Sequence, residues 1–123
     1  MLILASNTSK LQVTVQNAST IDVHASWMDN VAGAVGPGRT NTPSITTATT
    51  VDVVGAPALG PPQVQRNVKT LHVRNRGASS AGIIVTHTDG TVPVAMQVVT
   101  LPPGATLQYI DEVGFLPVLG GRP

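Results

Sequence analysis

Asp22, His24 and Ser26 look most like a catalytic triad in this sequence, since an acid, a base and a nucleophile occur close together. They alternate with apolar residues in a pattern typical of a β-strand, so all three are expected on one face. Alternate side chains on a strand stand about 7 Å apart, too far for the direct hydrogen bond that a nucleophile and its base require. The pattern therefore predicts a solvated strand face, and no catalytic residue is assigned.

His72 and His87, with Asp89 nearby, form a second set that could do chemistry. Two imidazoles and a carboxylate can bind zinc or another transition metal if neighbouring strands bring them together. Nothing in the sequence sets the register of those strands, and no further ligand is evident, so no metal and no cofactor is predicted. A ring of histidines on the axis of a symmetric oligomer stays open as an alternative.

The sequence has one cluster of charged residues, and it is basic. It contains Arg66, Lys69, Arg74 and Arg76, without an acidic residue between them. Such a cluster can contact phosphate or an acidic protein surface. The aromatic side chains that stack on bases are missing nearby, so no nucleic-acid partner is predicted. Salt bridges to a neighbouring subunit and a plain solvated face both stay open.

Trp27 and Tyr109 could stack on a sugar, although a lone inward tryptophan in a small sandwich belongs more often to the core. Asp111 and Glu112 are adjacent and do not form the opposed pair of carboxylates that glycoside hydrolysis needs. The sequence therefore predicts no enzyme, and it keeps a carbohydrate-binding module for host-surface recognition as an alternative.

Short β-strands are the elements that must position these residues, because alternating apolar and polar runs recur between Gly, Pro, Asn and Asp. The predicted strands are 10–16, 20–28, 46–54, 67–75, 83–88, 91–101, 105–110 and 115–118. No window has the apolar period of a helix. The sequence therefore predicts an all-β fold, a single-domain antiparallel β-sandwich of jelly-roll or Ig-like type. It should have about seven or eight strands and no significant helix.

Asp89-Gly90 is the strongest turn signal, since Asp-Gly between alternating runs predicts a hairpin with a type I′ turn. The stretch 65–109 around it is predicted to be a meander that organises the sheet. Within that stretch Leu71 and Val73 are predicted to face inward. Val68 has the opposite parity, which predicts either a bulge or burial on both faces near Lys69.

The remaining segments carry less regular signals. Residues 10–16 and 20–28 are predicted to pair as a hairpin. Residues 29–45, which contain several Gly and Pro, are predicted to form an irregular loop, and a loop of that length tends to be functional. The Pro-rich segment 55–62 is predicted to cross from one sheet to the other.

Composition indicates a domain that lies against other proteins. The 123 residues suit one domain, and no cysteine is present for a disulfide or a thiolate metal site. Charged residues make up 11% and the net charge is +1, whereas an ordinary soluble domain carries about twice that charged fraction. No apolar run approaches the ~18 residues of a membrane helix, so no membrane partner is predicted. Residues 1–9 and 119–123 could be docking arms, and residues 1–5 form either a short strand or part of the first arm.

The order of several phrases in this sequence resembles that of a known group of proteins. These phrases are SNTSKLQVTVQNASTIDVHASWMDN, PGRTNT, TTATTVDVV, QRNVKTLHVRNRGASS, VTHTDGT and LPPGATLQYIDEVGF. In this order they resemble small all-β virion structural proteins of tailed bacteriophages, of the capsid-decoration or tail-associated type. The resemblance runs from Ser9 to Phe115.

The resemblance implies a virion protein without enzymatic activity, present in many copies on a particle assembled in the host cytoplasm. The favoured role is a capsid decoration or cement protein that binds the major capsid protein and stabilises the head shell through many modest interfaces. A homo-oligomer is expected, with a trimer favoured. A tail, baseplate or fibre component is the alternative. The interface is predicted at Val35, Gly36, Pro37, Gly38, Arg39, Arg66, Arg74 and Arg76.

Overall fold

The structure, a computed structural model, describes residues 2–58 and 63–118. The strands are β1 (Leu2–Leu4), β2 (Lys10–Val15), β3 (Ile21–Val31), β4 (Ala34–Ile45), β5 (Thr49–Val54), β6 (Gln65–Asn75), β7 (Ala81–Thr88), β8 (Pro93–Leu101), β9 (Thr106–Ile110) and β10 (Gly114–Val118). The first sheet has the order β10-β9-β6-β3-β4, with β1 also paired to β6, and the second has the order β5-β2-β7-β8. The predicted antiparallel β-sandwich is confirmed, with ten strands in place of about seven or eight.

Alternation along each strand turns one face of each sheet into a shared core. β2 buries Leu11, Val13 and Val15 and leaves the polar residues between them half-exposed. β6 buries Leu71 and Val73, as the sequence predicts. Each such burial stabilises the fold by about 1.5–3 kcal/mol. The described residues include no helix long and apolar enough to cross a membrane.

β2 and β3 are consecutive in the chain but lie in different sheets. β2 pairs with β5 and β7, whereas β3 pairs with β4 and β6. The prediction that residues 10–16 and 20–28 form one hairpin is therefore wrong. The chain leaves β2 with the Gln16 N–H bonded to Gly82 O on β7, and it then crosses to the first sheet. Alternation indicates which face of a strand is buried, but it does not specify the neighbouring strand.

The stretch 65–109, predicted as a meander, is divided between the two sheets. β6 pairs with β9 in the first sheet, whereas β7 pairs with β8 in the second. The meander is therefore wrong, although the hairpin around Asp89-Gly90 is confirmed. The buried side chain of Asn75, at the end of β6, donates a hydrogen bond of 2.9 Å to Leu101 O at the end of β8. This contact joins two of the places where the chain crosses between the sheets, after β6 and after β8.

The turn at Asp89-Gly90 is not of type I′. Four residues separate β7 from β8, and Gly90, with a φ of 96°, is the one residue among them with positive φ. The Asp89 carboxylate accepts hydrogen bonds from the N–H groups of Thr91 and Val92, at 2.8 and 2.7 Å. A side-chain acceptor closes this turn, a role that Asp commonly has in turns.

Residues 29–45, predicted to be an irregular loop, form most of a long hairpin. Ala32 and Gly33 join β3 to β4 with φ values of 52° and 89°, the signs that a type I′ turn requires. β4 lies at the edge of the first sheet. Pro37 and Pro43 are tolerated there because an N–H that faces away from β3 needs no partner. The loop prediction is therefore wrong, since Gly and Pro here belong to an edge strand.

Replacing Ala32 with asparagine is expected to raise the free energy of unfolding by about 0.5–1 kcal/mol. Alanine is strained at a φ of 52°, whereas Asn tolerates the left-handed region and Asn-Gly is preferred in type I′ turns. Urea unfolding followed by tryptophan fluorescence measures the change. Ala32→Val should instead lower the stability, because a β-branched side chain is disfavoured at positive φ. Equal stability of the two variants would contradict this explanation.

The bulge predicted near Lys69 is confirmed. Successive pairs along β3 and β6 skip Lys69, which is therefore an extra residue on β6. The insertion changes the parity of the strand, so that Val68 and Leu71 both face the core.

The Pro-rich connector 55–62 leaves β5 in the second sheet and leads to β6 in the first, so the predicted crossing is confirmed. Its residues 59–62 lie outside the described residues. Within the predicted first arm, Leu2–Leu4 forms the short strand β1, which pairs with β6 and buries Leu2 and Leu4 in the core. The predicted arm 119–123 lies outside the described residues.

Candidate interaction surface

The outer face of the first sheet, turned away from the core, carries many of the polar residues that the sequence singles out. β3 runs along its middle and turns five side chains outward. They are Asp22, His24, Ser26, Met28 and Asn30. Three depressions follow β3 across this face between β4 and β6. We call these three depressions together the outer track.

A groove of about 630 Å³ forms the Asp22 end of the outer track. His24 and His72 are directly opposite on β3 and β6, with ring centres 6.3 Å apart. Asn41 Oδ1 lies 2.6 Å from His24 Nδ1. Arg74 and Gln108 also line the groove. The groove therefore offers several hydrogen-bonding groups and one guanidinium to a ligand or to a partner surface.

The other two depressions follow β3 toward the β3–β4 turn. The middle one has a volume of about 370 Å³, with Pro37, Arg39 and Lys69 in its walls. The last one has a volume of about 360 Å³ and is bordered by Ile3 and Val35. Met28 and Lys69 line both, which makes them neighbours. Apolar side chains therefore contribute part of the lining at the Val35 end of the outer track, beside polar ones, whereas the Asp22 end is mainly polar.

The predicted interface residues on β4 lie beside the outer track. Val35, Pro37 and Arg39 are exposed and point outward, opposite Asn30, Met28 and Ser26 of β3. Gly36 and Gly38 separate them. Arg74 lies at the far end, in the wall of the groove. The sequence predicted these residues as parts of a loop and of a basic cluster, and β-pairing brings them onto one face.

Arg66 has a different position from the other predicted interface residues. It forms a two-point ion pair with Asp29, at 2.8 and 3.0 Å. The third guanidinium nitrogen donates a hydrogen bond of 2.8 Å to Gly55 O in the connector. The guanidinium also lies 4.7 Å from the centre of the Trp27 ring. Arg66 therefore closes one end of the sandwich and is not freely available to a partner.

The basic cluster is largely neutralised within the chain. Arg66 pairs with Asp29, Lys69 with Asp111 at 2.9 Å and Arg76 with Asp22 at 2.7 Å. These acidic residues are remote in sequence and lie on neighbouring strands or turns, so no local sequence pattern indicates the pairs. The salt bridges of these three residues lie within the chain.

Asp22, His24 and Ser26 share one strand face, as predicted, and each has its own partner. The Asp22 carboxylate accepts a hydrogen bond from Arg76, and the His24 ring is hydrogen-bonded to Asn41. The Ser26 hydroxyl lies 2.6 Å from the Thr70 hydroxyl. No hydrogen bond links any two of the three in the described residues. The separation of a nucleophile from its base argues against a triad here.

His72 and His87 are not brought together, because β6 and β7 belong to different sheets. His72 faces His24 instead, and Asp89 lies in the β7–β8 turn just after His87, which is on β7. Among residues 2–58 and 63–118, no group of three or more His, Asp or Glu side chains is placed to hold a metal ion. The alternation along β3 and β6 predicts that His24 and His72 both point outward. Only the register between these two strands shows that they are directly opposite each other.

Trp27 and Tyr109, the candidate sugar-stacking residues, are both committed to packing. Trp27 packs against the core and lies beneath Arg66. Tyr109 is buried, with its ring centre 5.1 Å from that of Phe115. Neither ring is presented flat to solvent for a sugar.

Gly38→Ala is expected to lower the free energy of unfolding by about 1–3 kcal/mol. A Cβ at this position would overlap the indole ring of Trp27, so the ring or the strand must shift. Gly36→Ala is the matched control on the same strand, because nothing lies within 4 Å of its Cβ position. Thermal unfolding followed by circular dichroism compares the two variants, and equal losses would contradict the packing argument.

Stability is expected to fall as the pH is lowered from about 5 to 2. Hydrogen bonds from Arg76 and from Ser44 N–H hold the pKa of Asp22 below its ordinary value, and a hydrogen bond from Lys69 does the same for the pKa of Asp111. The stability due to a lowered pKa is present above the pKa of the unfolded chain, about 3.9, and is lost as the pH falls through the folded value. Urea unfolding at a series of pH values should show this loss, and Asp22→Asn should reduce it. A variant with the full pH dependence would count against the role of Asp22.

No protein family, curated protein or solved structure matches the chain in sequence or fold. The outer track places apolar side chains such as Met28 and Val35 beside neutral polar groups and the charged groups of Arg39, Lys69 and Arg74, and such a mixed surface suits binding.

Proposed function

We propose that the chain is a non-enzymatic structural protein of a tailed-bacteriophage virion, and that its favoured role is decoration of the head shell. The outer track is the observation that carries this proposal. It extends along β3 from the His24–His72 groove to the depression beside Val35. The outer track would dock the domain on the major capsid protein, and the sandwich behind it would keep that surface rigid.

The low content of charged residues supports a protein that is bound to other proteins for much of the time. The charged fraction of 11% is low for a freely diffusing domain, and three of the basic residues are already paired within the chain. Binding interfaces are depleted in charge at their centre, with apolar and arginine side chains enriched. Val35, Met28 and Arg39 on the outer track have this character.

Many copies of a modest interface would stabilise the particle. A decoration protein gains from multivalency, because each copy that docks adds to the cohesion of the shell. Copies of the chain could also associate with one another as a homo-oligomer, although docking on the shell does not require it. The resemblance of the sequence to small virion proteins supports this class of function and includes tail, baseplate and fibre components as alternatives.

The test is made on particles produced from the genome that encodes the chain. Immunogold labelling with an antibody against the purified protein should decorate heads. Labelling confined to tails would replace the decoration role by the tail or fibre alternative, and particles free of the protein would overturn the proposal.

Val35→Asp is expected to reduce the number of copies per particle at least tenfold, since a charge would be buried at the docking surface. Quantitative mass spectrometry of purified particles measures this number. Thr49→Asp is the matched control, because Thr49 is exposed on β5 in the other sheet. Equal incorporation of the two variants would exclude the outer track as the docking surface.

Carbohydrate binding is a second candidate, and the His24–His72 groove favours it. Asn41, Arg74 and Gln108 provide the planar hydrogen-bonding groups that orient a polar ligand in a cleft. A glycan array with the wild-type protein and with Arg74→Ala tests it. Binding that depends on Arg74 would support this function, and the absence of any bound glycan would reject it.

A further inference from the structure

β8 forms an open edge of the second sheet. It is the last strand in the order β5-β2-β7-β8, so one side of its backbone has no partner strand among the described residues. Val94, Met96 and Val98 are exposed along it, and 63% of Val98 is accessible. The strand contains no charged residue. A neutral, apolar strand with free N–H and C=O groups is a template for pairing with another strand.

The other terminal strands carry features that discourage such pairing, and β8 lacks them in its interior. β4 contains Arg39 and two prolines, and β10 contains Pro117. β5 has six residues and includes Asp52, which pairs with Lys10 at 3.1 Å. Charges and prolines are the devices by which natural proteins protect sheet edges. Of these terminal strands, β8 is therefore the one best suited to pair with a strand of another molecule.

The second half of β8, from Gln97 to Leu101, has the regular extended backbone that pairing with another strand requires. The register with β7 skips Met96, which is a bulge, and Pro93 lies at the very start of the strand. From Gln97 to Leu101 the pairing with β7 is regular. The backbone of this half is therefore extended, and Val98 is close to its centre.

We infer that β8 pairs antiparallel with β8 of a second copy of the chain, around a two-fold axis near Val98. The two second sheets would then form one continuous sheet with four strands from each copy. A second copy is the fitting occupant because the strand has no charge to repel its own image, and because two-fold contacts are the commonest in homo-oligomers. Strand addition to a sheet edge obtains its affinity from main-chain hydrogen bonds.

This inference concerns self-association alone and does not depend on a place in a virion. It replaces the trimer favoured from the sequence by a dimer, or by a larger assembly that contains this two-fold contact. The outer track lies on the other sheet and stays free in such a dimer.

Sedimentation equilibrium of the purified chain tests the inference over a range of concentrations. The wild-type protein should reach twice the chain mass, and Val98→Lys should weaken dimerisation at least tenfold because two lysines would meet near the axis. Val35→Lys is the matched control, since Val35 is 60% accessible but lies on β4, and it should dimerise normally. A wild-type monomer, a trimer without dimers, or equal weakening by both substitutions would overturn the inference. Circular dichroism checks that both variants are folded.

Disulfide trapping locates the axis independently, because the chain has no cysteine of its own. Directly opposite residues on antiparallel strands have Cβ atoms about 4.5–5.5 Å apart. Val98→Cys should therefore form a covalent dimer on mild oxidation, and Val35→Cys should not. Cross-linking at position 35 and not at 98 would move the contact to β4 and refute the β8 pairing. These outcomes are independent of where the protein lies in a particle, so a failure here leaves the virion proposal unaffected.

Discussion

Asn75→Ala is expected to lower the free energy of unfolding by about 4 kcal/mol, the largest effect of any substitution considered. The Asn75 side chain is fully buried between the two sheets. Its amide nitrogen donates to Ser79 O at 2.7 Å and to Leu101 O at 2.9 Å. Its oxygen accepts from the Ser19 hydroxyl at 2.9 Å and from Gly77 N–H at 3.0 Å.

The reason for so large an effect is that alanine leaves several partners unsatisfied at once. A buried polar group that loses its hydrogen bond costs about 1–3 kcal/mol, and Leu101 O lies in the interior. A small cavity adds to this cost. The crossing loops after β6 and β8 also lose the group that holds them together. Chemical denaturation at neutral pH measures the effect.

Two variants separate hydrogen bonding from side-chain volume. Asn75→Asp keeps the size but places a carboxylate opposite two carbonyl oxygens, so it should be destabilised about as much as the alanine variant at neutral pH. Asn41→Ala is the exposed control, since Asn41 makes a single bond to His24, and it should cost less than about 1 kcal/mol. A loss below about 1.5 kcal/mol for Asn75→Ala would contradict the proposed role of this residue.

Arg66→Ala is expected to lower the free energy of unfolding by about 3 kcal/mol, whereas Arg76→Ala should lower it by less than about 1 kcal/mol. Both arginines make two-point contacts with an aspartate across neighbouring strands. The side chains of Arg66 and Asp29 are 15% and 26% accessible, and those of Arg76 and Asp22 are 50% and 35% accessible. Burial is therefore the main difference between the two pairs.

Removal of the Arg66 guanidinium leaves Asp29 charged in a partly buried site, which is the costly part of breaking such a pair. It also removes the hydrogen bond to Gly55 O and the cation–π contact with Trp27, an interaction that contributes about 0.5–1 kcal/mol at exposed sites and more when desolvated. Around Arg76, water can replace the lost partner. The two single variants thus compare the loss of a buried Arg–Asp ion pair with the loss of an exposed one.

The double variant Arg66→Met/Asp29→Leu provides the check on this explanation. If an unpaired buried charge causes the loss, the double variant should recover much of the stability that Arg66→Ala loses. Urea unfolding of the wild-type protein, the two single variants and the double variant measures how much stability the double variant recovers. Equal losses for Arg66→Ala and Arg76→Ala, or a double variant no more stable than Arg66→Ala, would show that the charge balance at Asp29 is unimportant.

Strand periodicity in the sequence predicted much of the fold and part of the candidate surface. The strand that contains Leu71 was predicted with the correct buried face because the two-residue period of a strand is local. The bulge at Lys69 was one of two explanations that the change of parity at Val68 allowed, and the structure has it. The same period places Asp22, His24 and Ser26 on one outer face. Their isolation from one another follows from strand geometry alone, and each has a different partner in the structure.

Pairing between strands was decided only in the tertiary structure, since it depends on residues remote in sequence. The first two long strands have the pattern of a hairpin but belong to different sheets. The acidic partners of Arg66 and Arg76 are 37 and 54 positions away. Residues 34–45 read as a loop because Gly and Pro disfavour strands in general, whereas an edge position tolerates them.

The outer track shows the same division between local and long-range information. The outward parity of β3, and therefore the exposure of His24, follows from the amino-acid sequence by itself. The meeting of His24 with His72, Asn41 and Gln108 needed the register of four strands. Likewise, the lack of charge in β8 is visible in the sequence, but its position at a sheet edge is a property of the assembled sandwich. Side-chain periodicity is a property of one strand, whereas neighbours and edges are created by long-range contacts whose cost in chain entropy only the whole fold can offset.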